Sequence, residues 1–165
     1  MYGQNEGRIK VEVGLREPLW DGPTRGAAKT ILLNPGTGMA FFEPINIPCM
    51  TLKESMAEKL RAALTRREVA IRDFYDIGFA KRSLDWDYRD ENFLTLVREK
   101  LAVPGNEPPD VSDARVADLE TQIETQLKPV LRARDFEAFD LEEVIDIVKS
   151  VATGLVSLGA SPGPG

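Results

Sequence analysis

The first third of the chain carries stretches in which apolar residues alternate with polar ones or form brief runs, a pattern typical of β-strands. Between residues 8 and 15, apolar side chains fall on every second position, which predicts a half-buried strand. Short apolar runs at 30–33 and 39–42 predict two more strands, and the Pro- and Gly-containing segment 34–38 predicts the turn between them. The preceding stretch, 20–26, predicts a loop.

In the remainder of the chain, the apolar spacing changes to that of amphipathic helices. Thr51 predicts the N-cap of the first helix, and Glu54, three residues later, is placed to complete a capping box. A second helix is predicted over 71–82, and a third from about Asp90 until the Pro-Gly break at 104–105. The apolar stripe of the first helix consists of Leu52, Met56, Leu60, Ala63 and Leu64.

The C-terminal part predicts a linker followed by two further helices. The segment 106–112 contains two adjacent prolines and predicts the linker, while apolar stripes over 116–131 and 141–155 predict the helices. The change of period indicates an α+β fold, in which a small sheet precedes a helical lobe. The predicted domains are a partial sheet over 1–50, a helical lobe over 51–158 and a disordered tail over 159–165.

The composition is that of a globular protein and restricts the chemistry that the chain can perform. Hydrophobic residues make up 42% of the 165 residues, and no apolar run reaches the roughly 20 residues of a membrane span, so we expect no membrane partner. The chain has no histidine, which excludes histidine-based nucleophile systems and histidine-ligated metals. Cys49 is the only cysteine, which predicts a reducing, cytoplasmic location. Any metal is expected to be a hard cation such as magnesium, held by carboxylates.

The net charge of −6 hides a locally basic segment. Residues 53–82 carry eight Lys or Arg against five Asp or Glu, whereas residues 106–165 carry five against twelve. A basic segment on an acidic protein predicts a site for an anion. The alternative is a solvated helix face that is laced with ion pairs.

Two cations on the first predicted helix face the same way. Lys59 lies three residues after Met56 and four before Ala63, so it lies beside the apolar stripe, and Arg66, seven residues further on, shares its face. A lysine that points inward needs a partner or a cleft, because an unpaired buried ammonium is costly. The alternative is that the lysine stem covers apolar surface while its ammonium reaches water.

The second predicted helix supplies acidic partners for these cations. Asp73 and Asp76 lie three residues apart on one face of its first turn. The short connection 67–70 predicts that the two helices pack as an antiparallel hairpin, so that Lys59 faces one of the aspartates. Alternatively, Asp73 caps its own helix and Arg72 pairs with Asp76.

The remaining candidate groups are one carboxylate and a set of aromatic rings. Glu12 lies on the polar face of the predicted strand 8–15, where a rigidly held carboxylate suits metal coordination or proton abstraction. The alternative is an ordinary exposed glutamate. Phe74, Tyr75 and Phe79 are interpreted as core residues rather than as a platform for base stacking. The chain contains no Walker-A loop and no dinucleotide fingerprint.

Two neighbouring motifs are Ala57-Glu58-Lys59-Leu60-Arg61-Ala62, with Arg66 downstream, and Arg72-Asp73-Phe74-Tyr75-Asp76. In order and spacing, these motifs resemble those of the AbiEii/AbiGii-type nucleotidyltransferases. The strand-like run 9–13 is similar to the family strand that precedes this block. Members of the family are toxins of type IV toxin–antitoxin and abortive-infection systems, which act in phage defence.

The resemblance implies a fold, a reaction and roles for individual residues. The fold is the remnant of a polymerase-β-like nucleotidyltransferase sheet followed by a helical lobe. The reaction is transfer of a nucleotide from a nucleoside triphosphate, with magnesium, to an acceptor such as tRNA, and the partner is an antitoxin protein encoded nearby. By resemblance, Lys59 contacts phosphate and Arg66 assists in neutralising charge. Asp73 or Asp76 becomes a catalytic carboxylate, and Glu12 becomes the acid of the central strand.

One family motif has no counterpart in this sequence. The family begins with Gly-Ser followed by an Asp-x-Asp pair that holds the metals, whereas the only Asp-x-Asp here, 85–87, follows the helical motifs. We therefore expect a truncated family member that transfers no nucleotide by itself. The alternative is a non-catalytic module that binds a partner or a nucleotide.

Overall fold

The computed structural model of the protein describes residues 18–159. Within them, a two-stranded antiparallel sheet precedes six α-helices, so the predicted α+β class is confirmed. The predicted strand 8–15, which carries Glu12, lies outside the described residues, as do residues 160–165 of the predicted tail. The elements are β1 (Thr24–Ala28), β2 (Ile45–Cys49), α1 (Leu52–Thr65), α2 (Ile71–Leu84), α3 (Glu91–Leu101), α4 (Asp113–Gln122), α5 (Ala133–Glu137) and α6 (Leu141–Gly159).

The amphipathic pattern correctly predicts the first three helices. Thr51 is the N-cap of α1, and its side chain accepts a hydrogen bond from the backbone N–H of Glu54 at 3.1 Å. Asp90 caps α3 in the same way, by accepting a hydrogen bond from the backbone N–H of Phe93 at 2.7 Å. The helix predicted over 71–82 is α2, which runs slightly further, to Leu84. Within residues 18–159, every helix is too short or too polar to form a membrane span.

The single helix predicted over 116–131 is wrong in detail. After α4, the backbone widens into a π-turn over Ile123–Leu127 and then tightens into a 3₁₀ turn over Lys128–Val130. Pro129 accounts for the change, because proline lacks a backbone N–H and its ring clashes with the carbonyl group four residues earlier in a regular α-helix. The short helix α5 then follows, and the apolar pattern does not predict it.

The strand predictions between residues 20 and 42 are also wrong. β1 pairs with β2, although the sequence predicts a loop over 20–26. The predicted strands 30–33 and 39–42 approach each other only at an isolated bridge between Leu33 and Ala40. Because the large apolar side chains of these two runs are exposed around the hairpin tip, their apolar character does not mark a buried strand.

Small residues permit the observed pairing of β1 with β2. Gly26 lies opposite Ile47, and a Cβ atom at Gly26 would lie only 2.4 Å from the Sγ atom of Cys49. The absence of a side chain at Gly26 therefore allows the two strands to approach. This feature explains why β1, with its small residues, lacks the apolar alternation of a predicted strand.

The hydrophobic core lies among α1, α2, α3 and α6. Leu60, Ile77, Val97 and Val144, one from each of these helices, are completely buried. Leu52 belongs to the predicted stripe of α1 but is exposed, because it occupies the first position of the helix. The core therefore fixes α1 against α2, the two helices that carry the predicted site residues.

A buried ionic cluster links the start of the described chain to α1 and α3. The Lys100 ammonium lies 2.9 Å from a carboxylate oxygen of Glu54 and 2.9 Å from one of Glu58. The Glu54 carboxylate also accepts hydrogen bonds from the backbone N–H groups of Trp20 and Asp21, at 2.9 and 3.1 Å. Glu54 therefore does not turn back to complete the predicted capping box with its side chain, but holds the segment that leads into β1.

The crossing of α2 and α6 depends on a glycine. A Cβ atom at Gly78 would lie 2.6 Å from a methyl carbon of the buried Val144, whose branched side chain has little freedom to move. We expect Gly78→Ala to lower the free energy of unfolding by about 1–3 kcal/mol, because overpacking outweighs the helix propensity of alanine. The measurement is urea unfolding monitored by circular dichroism. Gly154→Ala is the control, since its Cβ would meet only the flexible Leu94 tip at 3.3 Å; a Gly78 variant as stable as the wild type would contradict the prediction.

Candidate functional site

The helical hairpin of α1 and α2 brings the predicted site residues together. The Lys59 ammonium lies 3.1 Å from Oδ1 of Asp73 and 2.8 Å from Oδ2 of Asp76. The Arg66 guanidinium lies 2.8 Å from Oδ2 of Asp73. Asp73 therefore bridges the two cations, with one carboxylate oxygen directed to each.

Burial differs among the four side chains in a way that separates their roles. The side chain of Asp73 is only 5% exposed, whereas those of Lys59, Asp76 and Arg66 are 33%, 43% and 44% exposed. A buried carboxylate is stable only when its oxygens are paired, and here both are. Asp73 thus acts as a buried anchor that fixes two cationic groups at the protein surface, where each is still accessible to an anion.

The charge of Lys59 is maintained by its surroundings. Burial alone would lower the pKa of Lys59, but the hydrogen bonds and negative charges of Asp76 and Asp73 outweigh it, so the pKa is raised and the ammonium stays protonated. Burial, with a smaller effect of the Asp76 charge, also raises the pKa of Tyr88, whose hydroxyl donates to the carbonyl oxygen of Ile77 at 2.8 Å. Tyr88 therefore stays neutral and structural.

Several alternatives from the sequence are decided by this geometry. The Lys59 ammonium pairs with two aspartates, so it does not merely extend to water. Asp73 does not cap α2, because the N-cap is Ala70 and has no side-chain hydrogen bond. The roles of these residues in catalysis remain predictions, and Glu12 lies outside the described residues.

The prediction that Phe79 is a core residue is wrong. Phe74 is buried as expected, whereas Phe79 on the same helix is 46% exposed. The spacing of residues on α2 distinguishes Phe79 from Phe74. Phe79 follows Asp76 by three residues, so it lies beside Asp76 on the helix surface. The apolar character of Phe79 alone does not reveal this position.

The described residues contain no cluster of three metal-ligating side chains. Among residues 18–159, no three His, Cys, Asp or Glu side chains cluster closely enough to hold a metal ion. Asp73 directs both of its oxygens to cations, and Asp76 also faces Lys59, so the local charge opposes a bound dication. We therefore assign no chemical step in this site to magnesium.

Comparison with known proteins identifies the family. The family described as "Nucleotidyl transferase AbiEii toxin, Type IV TA system" matches residues 2–147, which is most of the chain. No curated protein matches the chain, and no solved structure matches it either. The family match covers the whole helical hairpin in which Lys59 and Arg66 meet Asp73 and Asp76. The chain therefore belongs to the AbiEii family of nucleotidyltransferase toxins from type IV toxin–antitoxin systems.

Proposed function

We propose that the protein binds a nucleoside triphosphate for transfer of a nucleotide to an acceptor such as tRNA, with Lys59 and Arg66 in contact with the phosphates, and that the transfer step itself requires the family's Asp-x-Asp pair, which this sequence lacks. The observation that carries the proposal is the bridging carboxylate of Asp73, which holds both cationic groups at one place on the surface. Preorganised cations of this kind stabilise the charge that develops as pyrophosphate leaves. Family membership supports the reaction class, and implies that an antitoxin is the partner of the toxin.

Within this proposal, the two aspartates have different roles. Asp73 is the positioning residue, since its carboxylate is buried and both of its oxygens are engaged by cations. Asp76 is the better candidate for direct contact with substrate, because its side chain is much more exposed. A carboxylate that contacts a reacting hydroxyl group can accept its proton.

A second candidate function is binding to a partner protein without nucleotide transfer. The observation that favours it is the hairpin between β1 and β2, which exposes several large apolar side chains, including Ile31, Met39, Phe42 and Ile45. Exposed apolar patches often mark protein interfaces. Under this second function, Lys59 has only a structural role and its charge does not affect nucleotide binding.

Substitution of Lys59 by methionine tests the proposal. We expect Lys59→Met to weaken triphosphate binding by about 10- to 100-fold, the equivalent of one lost charge-assisted hydrogen bond of roughly 1.5–3 kcal/mol. Methionine suits a helix and an apolar border, and Arg66 still pairs with the buried Asp73, so the fold should persist at a lower stability. The measurement is calorimetric titration of both forms with each of the four nucleoside triphosphates and magnesium chloride.

Lys53→Met is the matched control. Lys53 lies on the same helix with a similar exposed fraction, 37% against 33%, and its ammonium is 3.8 Å from Asp21, away from Asp73 and Asp76. The control removes the same charge, so it separates a local contact from a change in net charge. Equal affinities of wild type and a folded Lys59→Met protein would overturn the proposal and favour the second function.

A further inference from the structure

A single ridge of α2 leads from the buried anchor of the site to an exposed aromatic ring. Asp73, Asp76 and Phe79 follow one another at intervals of three residues, so their side chains form one row on the helix surface. Exposure increases along this row, because Asp73 is buried, Asp76 is half-buried and Phe79 is exposed. The row therefore begins at Asp73, which is buried beneath Lys59 and Arg66, and ends at the exposed ring of Phe79.

The ring of Phe79 is supported by other aromatic rings. Its centroid lies 6.2 Å from that of Tyr75, with 31° between the ring planes, and Tyr75 in turn lies 5.9 Å from the ring of Phe139. Tyr75 and Phe139 are partly buried and pack against the hydrophobic core. Phe79 is thus held in place by Tyr75 while nearly half of it remains accessible.

We propose that Phe79 is the stacking platform for the base of the nucleotide whose phosphates contact Lys59 and Arg66. This inference rests on the proposed function and adds to it the subsite for the base. Six residues separate Asp73 from Phe79, a rise of about 9 Å along the helix. This separation places the aromatic ring at one end of the site and the paired cations at the other, the order in which a nucleotide carries its base and its phosphates.

The chemistry of the row favours a nucleotide over a purely apolar ligand. A nucleotide supplies a flat ring, ribose hydroxyls and phosphate oxygens in succession, and the site offers an aromatic ring at Phe79, a carboxylate at Asp76 and an ammonium at Lys59. Stacking on an aromatic side chain tolerates every base, because all bases have a π-face. Phe79 therefore contributes affinity for all four nucleotides and does not select among them.

The test compares a nucleotide with its phosphate part alone. Wild type, Phe79→Leu and Phe79→Tyr are titrated calorimetrically with each of the four nucleoside triphosphates and with inorganic tripolyphosphate. Phe79→Leu keeps the apolar bulk but removes the ring, and we expect it to weaken nucleotide binding by about tenfold. Phe79→Tyr keeps the ring and should bind like the wild type. Neither variant should change the affinity for tripolyphosphate, which has no base.

A matched control comes from the end of the same helix. Leu84 is about as exposed as Phe79 but follows it by five residues, so Leu84→Ala should leave both affinities unchanged. If Phe79→Leu binds nucleotide as tightly as the wild type, the base subsite is wrong while the phosphate site stands. If Phe79→Leu weakens tripolyphosphate equally, the side chain acts by distorting the site and the inference also fails. If the wild type binds neither ligand, the proposed function itself is overturned, and this inference with it.

Discussion

Replacement of Lys100 by methionine is expected to lower the free energy of unfolding by about 3–5 kcal/mol. The Lys100 side chain is only 1% exposed, and its ammonium lies 2.9 Å from Oε1 of Glu54, which is equally buried. Methionine fills similar space but leaves the Glu54 carboxylate in the interior without its buried cation. The penalty is therefore that of an uncompensated buried charge, which exceeds the loss of a surface ion pair by several-fold. The measurement is urea unfolding at neutral pH.

A double substitution separates this explanation from a simple packing defect. If the uncompensated Glu54 charge causes the loss, Glu54→Gln combined with Lys100→Met should recover part of the stability, so that the two effects are not additive. Lys128→Met is the exposed control, because Lys128 pairs with Glu124 at the surface and its removal should change stability by less than about 0.5 kcal/mol. Additive losses in the double variant would contradict the buried-charge explanation.

The ionised state of the Glu54 carboxylate at neutral pH supports the explanation that Lys100→Met leaves a buried charge uncompensated. Burial alone would raise the pKa of Glu54, but hydrogen bonds from the Trp20 backbone, the Lys100 ammonium and the Asp21 backbone together outweigh it, so the pKa is lowered. The carboxylate is therefore ionised in the folded protein. Its contribution to stability is present above the pKa of an unfolded glutamate and is lost as the pH falls through the lowered folded value.

The ionic cluster also connects the two parts of the molecule. Glu54 holds the backbone of Trp20 and Asp21, just before β1, while Lys59 lies five residues further along the same helix. The N-terminal half of α1 therefore holds the segment that leads into β1, and the next turn of α1 presents Lys59 to the candidate site.

The sequence predicts the helical hairpin and the meeting of its charges because both follow from local spacing. A cap at Thr51 and intervals of three and four residues determine which side chains share a face of α1, whereas Arg66 is the extended C-cap residue just after the helix and reaches Asp73 from there. A short connection between α1 and α2 forces them to pack antiparallel. Lys59 and Arg66 therefore meet Asp73 and Asp76 without any information about the rest of the fold.

The features that the sequence does not predict depend on contacts distant along the chain. Lys100 lies on the apolar face of α3, three residues after Val97 and seven after Phe93, but local spacing does not identify its partner Glu54, which is 46 positions away. The pairing of β1 with β2 depends on close approach at Gly26, while the nearby apolar runs, which resemble strands, are exposed. The sequence predicts Phe79 to be a core residue because side-chain type alone does not distinguish a buried ring from an exposed one.

Two leucines of the predicted α1 stripe should differ by an order of magnitude in their contribution to stability. Leu60 is completely buried between α1 and its neighbours, whereas Leu52 is 49% exposed at the first position of the helix. We expect Leu60→Ala to lower the free energy of unfolding by about 2–5 kcal/mol, because it removes buried methyl groups and leaves a cavity in a core that closes only partly. Leu52→Ala should change it by less than about 0.5 kcal/mol, since most surface substitutions have small effects.

Urea unfolding of the two leucine variants side by side measures this difference, and each serves as the control of the other. Both remove the same atoms from the same helix, so helix propensity, which already favours alanine slightly, cannot account for a large gap between them. The gap reports burial alone. Comparable losses in Leu60→Ala and Leu52→Ala would mean that Leu52 is covered in solution, and that the apolar stripe of α1 extends to its first turn as the sequence pattern predicts.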